Sequence, residues 1–171
     1  MSENRLPEPW LRGTLTEVPA VQRAVLHALE LAEEDVKRWC GGLSDEEVNG
    51  RPCGLAPVAF HLRHIARSLD RLLTYAEGQS LTAEQLAALN SELDPGAKQS
   101  ELFSEVEQAL KDSAARIRAF QVSDLEQARS VGKRRMPTTV AGLLVHVADH
   151  TQRHVGQAIT TTRIVLAQRT T

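Results

Sequence analysis

Along this chain apolar residues return every three or four positions in four long stretches, separated by proline, glycine and polar residues. Val18, Val21, Val25, Leu29, Ala32, Val36 and Trp39 form the first stripe, which is the pattern of a helix with one buried face. Cys40-Gly41-Gly42 closes it, and "LSDEEV" then offers a short capped turn in which Ser44 and Glu47 can satisfy each other's backbone. After the break "RPCGLAP", a second stripe of Val58, Leu62, Ile65, Leu69, Leu72, Leu73 and Ala76 predicts another long helix, stopped at Gly78. "SLTAEQLAALNSEL" reads as a short helix capped by Thr82 and closed by Asp94-Pro95-Gly96. Leu102, Val106, Leu110, Ser113, Ile117 and Phe120 mark the third long helix. A polar connection carrying "GKRRMP" leads to the last, expected from about Thr139 to Ala167, with Pro137 at its start and Thr138 or Thr139 as cap.

Strand-like alternation never lasts more than a few residues, so the pattern predicts an all-α fold. It is a four-helix bundle with one or two short extra helices, in a single domain over residues 1–171. Residues 1–15, with Pro7, Pro9 and Gly13, are expected to form an extended N-terminal arm. The connection after Gly78 is long enough to cross the bundle.

Composition refines this picture in few places. Aromatic residues are only 4% of the 171, so the core must be aliphatic, which suits helix-on-helix packing. A net charge of -2 gives no general attraction to nucleic acid or to anionic membranes, and neither is expected as a partner. The sequence has no apolar run of about 18 residues and no leader-like start, so a cytoplasmic location is expected. Cys40 and Cys53 are too few for a disulfide framework and are expected to be reduced.

The candidate chemistry lies in "HVADHTQRHVGQ", which holds His146, His150 and His154, half of the six histidines. Residues four apart on a helix share a face, about 5–6 Å apart at Cβ, and two imidazoles there can reach one ion. Steps of 100° put His154 beside the apolar centre of the last helix, His150 a little further out and His146 further still. His61 and His64 on the second long helix supply a second cluster, and bundle cores often build metal sites from facing helices. Periodicity slightly prefers His61 as the inward member, although spacing alone leaves the choice open. His27 points away from its stripe and is expected to be solvated.

Two familiar chemistries are excluded. A zinc protease needs Glu directly after the first His of HxxxH, where this chain has Thr151. A di-iron bundle needs Glu-x-x-His on two helices together with further glutamates. Three histidines with open positions remain, a donor set that leaves an ion its full charge and suits hydroxide or thiolate. No carboxylate is evident beside the ligands to act as general base. Asp149 projects to another face. Tyr75 lies eleven residues beyond His64, roughly 16 Å along the helix, too far for a direct role. Arg63, Arg67 and Arg71 form a basic stripe, read as a solvated or ion-paired face, and Gly156 as a point of close helix approach.

"HLRHIARSLDRLLTYAEG" joined downstream to "PTTVAGLLVHVADHTQRHVGQ" resembles the DinB/YfiT-like superfamily of metal-binding four-helix bundles. The resemblance covers most of the chain, from "PWLRG" onward. It implies His64, His150 and His154 as ligands, against the slight periodic preference for His61. It also implies one divalent ion per chain, nickel or zinc first and iron or manganese as alternatives. Family habit further implies a homodimer and an enzyme acting on a small molecule, through a low-molecular-weight thiol (S-transferase type) or water (hydrolase type). The rival expectation is a non-catalytic metal-binding stress or interaction protein. His61, His146 and Gln157 are candidates to surround the ligands.

Overall fold

A computed structural model describes residues 6–169. It contains α1 (Ala20–Cys40), α2 (Asp45–Asn49), α3 (Val58–Ala76), α4 (Ala83–Asn90), α5 (Gln99–Ala119), β1 (Ala128–Val131), β2 (Met136–Thr139) and α6 (Val140–Gln168). The four long helices form the expected bundle. Each of α1 and α3 packs against both α5 and α6, so α1 faces α3 across the diagonal. The connection after Gly78 does not cross the bundle, because α3 and α5 are direct neighbours. The diagonal crossings fall instead between α1 and α3 and between α5 and α6.

The core between the helices is aliphatic, as the shortage of aromatics requires. Leu62, Ile65, Leu69 and Leu73 of α3 are fully buried, with Leu144 and Val147 of α6 and Ile117 of α5 beside them. Burying a side chain of this size stabilises the fold by about 1.5–3 kcal/mol before entropy is counted. The caps follow the sequence. Ser44 and Glu47 close a reciprocal capping box on α2, Thr82 and Gln85 close another on α4, and the Thr139 hydroxyl accepts from the Gly142 amide that opens α6. Cys40 and Cys53 are both free, and burial pushes the Cys40 thiol up.

Three expectations are corrected. The polar connection before the last helix is a β-hairpin, in which Pro137 of β2 lies opposite Ser130 of β1 and does not open the helix. Four-residue strands are too short to show a period in sequence, and a two-stranded ribbon accepts a proline that cannot donate. The N-terminal segment is not extended where it is described. Pro9–Leu11 makes a 3-10 turn with Pro9 buried, and the Arg12 guanidinium forks onto both carboxylate oxygens of Glu34 on α1 at 2.6 and 2.8 Å. Residues 1–5 of the expected arm lie outside the described residues. His27 is not solvated either; it is only 7% exposed, with Nε2 3.2 Å from the Thr14 hydroxyl.

Candidate metal centre

Because α3 and α6 are neighbours, the two histidine clusters face each other. One ring nitrogen each of His64, His150 and His154 lies within 4.8 Å of the others. His64 Nε2 and His150 Nε2 are 2.9 Å apart, and the His64 and His154 ring centres 4.3 Å. Nitrogens held tetrahedrally by one ion at about 2.0–2.1 Å would sit about 3.3 Å apart, so small ring adjustments bring this set to that geometry. Phe60 stacks on His64 with centroids 5.3 Å apart and meets His154 edge-on, restricting both rings.

The donor chemistry fits a cation. Burial, then the neighbouring imidazoles, pushes His150 and His154 down to about 4, so both keep a free lone pair at neutral pH. His64 Nε2 and His150 Nε2 can share only one proton. Whichever ring holds it, His150 is left with an unmatched polar atom, because its buried Nδ1 has no partner. An ion between the two Nε2 atoms would remove their competition for one proton, with the remaining proton of His150 then on its buried Nδ1.

His61 is also present. It is buried, pushed down to about 4 by burial and then by His154 and His64, and its Nδ1 lies 3.2 Å from Nδ1 of His154. The periodic preference for His61 as an inward residue therefore describes its burial, while His64 supplies the nitrogen that meets His150. His146 is at the rim, half exposed, with Nδ1 2.8 Å from Asp149 Oδ1, and Arg153 holds the other oxygen of that carboxylate.

Sequence reasoning missed Glu92. This carboxylate, 4% exposed, sits just past α4 with Oε2 2.6 Å from His64 Nδ1, while Arg71 donates to its Oε1 at 2.8 Å. Burial alone would raise its pKa, but the hydrogen bonds from His64 and Arg71 outweigh burial and hold it below the usual carboxylate value. A carboxylate behind one nitrogen of a histidine fixes the ring and leaves the other nitrogen as the donor. Glu92 is 28 residues from His64 in sequence, and no periodicity connects them. The arginine stripe brings it in. Arg63 donates to the Asp94 carbonyl, Arg67 to the Ala88 carbonyl and to Glu105, and Arg71 to Glu92 itself, clamping residues 88–94 onto α3.

A cavity of about 360 Å³ opens beside the cluster, with Leu55 and Ala56 on one wall and His61, Arg153, Gly156 and Gln157 on another. Gln157 belongs to this wall. Gly156 is not a point of close helix approach, since a Cβ added there would meet nothing within 4 Å. No described helix is long and apolar enough to cross a membrane.

Comparison with known proteins agrees with this architecture. A crystal structure of a conserved protein from Enterococcus faecalis superposes with a TM-score of 0.72 at 18% identity, covering 87% of this chain and 99% of that one, which establishes the shared fold. No curated protein matches the sequence. The sequence profile of the DinB superfamily matches residues 28–158, a span that includes every histidine of the cluster. The chain belongs to the DinB superfamily.

Proposed function

We propose that His64, His150 and His154 hold one divalent ion, nickel or zinc in the first place, and that the chain is a metal-dependent enzyme acting on a small molecule. The observation that carries this reading is the convergence of three imidazoles from two helices with Glu92 anchored behind one of them. Imidazole donors suit these ions, and three of them leave positions at which a bound water or thiol would lose its proton near neutral pH. The remaining residues set the stage. Arg71 keeps Glu92 charged, and Glu92 orients His64. Leu55 and Ala56 give the adjoining cavity an apolar wall, and Gln157 and Thr160 give it polar groups to orient a substrate.

Thiol transfer is favoured over hydrolysis. Both oxygens of Glu92 are engaged and its pKa is lowered, so it is a poor base for water. A thiol needs less help of that kind, because it ionises more readily than water. The test is turnover by metal-loaded protein with a panel of thiols and electrophiles, run alongside a panel of esters and amides. Thiol-dependent product supports the reading, and product without thiol moves it to the hydrolase form. Metal bound without turnover in either panel would leave a non-catalytic metal-binding stress or interaction protein.

A further inference from the structure

At the other end of α3 a second depression has different chemistry. It is a groove of about 460 Å³ between Tyr75, Gly78 and Ser80 on one side and Arg129, Ser130 and Arg135 of the hairpin on the other. No carboxylate lines it. We propose that this groove is an anion site for a phosphate group, carried by a small molecule or free.

Arg129 is already held in place. Its Nε donates to the Ala76 carbonyl at the end of α3 at 2.7 Å, Nη1 to the Ala128 carbonyl at 3.0 Å and Nη2 to Gln127 Oε1 at 3.1 Å. All three acceptors are uncharged, so no carboxylate matches the guanidinium charge. Three of its five N–H donors are used, which leaves one on each terminal nitrogen. Arg135 sits in the hairpin turn with a left-handed backbone, φ 49°, after Gly132 at φ 69°. Among the described residues neither it nor Lys133, Arg134 or Arg129 forms an ion pair. Four unmatched cations thus fall within residues 129–135 of a chain whose net charge is -2. By contrast Arg12, Arg67, Arg71, Arg116 and Arg169 each meet a carboxylate.

Tyr75, Ser80 and Ser130, each carrying a hydroxyl, also line the groove. Two guanidiniums with several hydroxyls suit a tetrahedral, multiply charged oxyanion, which guanidinium recognises through paired hydrogen bonds. An extended polyanion fits less well, because only two of these cations, Arg129 and Arg135, line the concave groove, and the net charge of -2 gives no general attraction to nucleic acid. Tyr75 lies about 16 Å beyond His64 along α3, so an anion here is not a ligand of the histidine cluster, and the proposal does not depend on the metal reading.

The test is a calorimetric titration of the full chain at low salt with inorganic phosphate and with phenyl phosphate, in wild type, Arg135→Gln and Arg129→Gln. Saturable binding is expected, weakened about tenfold or more by Arg135→Gln, as for loss of one charge-assisted pair. Arg129→Gln also loses a contact to α3, so its fold is checked by circular dichroism; the exposed Arg135 variant decides alone if that fold is lost. Tighter binding of phenyl phosphate assigns the site to a phosphorylated small molecule, and equal binding assigns it to free phosphate. Absence of saturable binding, or binding indifferent to Arg135→Gln, overturns the proposal. So does an Arg135-dependent oligonucleotide that binds more tightly than either probe.

Discussion

The two ends of α3 present opposite electrostatic problems. At the His64 end, imidazoles from α3 and α6 turn nitrogens toward one another, and a buried His150 nitrogen has no partner. At the Gly78 end, guanidiniums hold donors that no carboxylate takes up. Between them Arg67, Arg71 and Arg116 are each matched by a carboxylate, Arg116 by Asp70 and Glu77 together. The contrast teaches that a cluster of like residues carries little information about ligands until the protein's own pairs are subtracted. What remains unmatched is a set of imidazole nitrogens at one end and guanidinium donors at the other.

The largest expected effect that sharpens this contrast comes from His64→Ala. It removes a proposed ligand and the partner of Glu92, and should reduce metal affinity by more than the roughly 10–100-fold typical of losing a supporting group. Metal titration by competition with a chelator reads the change. Unaltered affinity would move the site elsewhere in the histidine cluster. Glu92→Gln should fall within that 10–100-fold range, since the ring stays supported but loses the anion behind it. Glu92→Ala should in addition destabilise the fold by about 3–5 kcal/mol, because Arg71, 9% exposed, would be left buried without its partner. Denaturant melts of the two variants separate these effects.

Acid provides a third probe, on metal-free protein. His61, His150 and His154 are held at about 4 in the folded chain against 6.5 for an ordinary histidine. The unfolded chain therefore takes up protons first as the pH falls. Their contribution to stability is complete above about pH 6.5 and is lost progressively toward about pH 4. Thermal melts across that window should show a falling midpoint; a flat profile would mean the imidazoles are not held neutral by burial. The smallest effect on the fold should come from Gly156→Leu. Its side chain enters open space, and exchanging a mid-helix glycine for leucine should stabilise by up to about 1 kcal/mol. Metal content should stay constant while turnover drops, because the added side chain occupies the cavity beside His61. Turnover unchanged in that variant would place the substrate on another side of the cluster.

The bundle was legible in sequence because its elements are long and periodic. Leu62, Ile65, Leu69 and Leu73 repeat on one face of α3 and are all fully buried. The DinB resemblance was legible because it rests on two motifs that the fold brings together. Short or long-range features were not. The strands of the hairpin have four residues each, too few to carry a period. The burial of His27 is not legible in its own helical stripe, because it is Thr14 of the N-terminal segment that meets the ring. Glu92 lies on a connection whose position depends on three arginines, a tertiary arrangement that leaves no local mark. For the same reason spacing alone could not choose between His61 and His64, since the choice depends on which nitrogen faces α6.

Metal content tests the central claim most directly. The protein is purified without a histidine tag or chelator, reconstituted with nickel or zinc, and compared by elemental analysis with a His150→Ala, His154→Ala double variant. About one ion per chain in the wild type, lost in a variant that remains folded, is the predicted result. No bound ion in folded wild-type protein, or an equal amount in both, would contradict a three-histidine metal centre in this bundle.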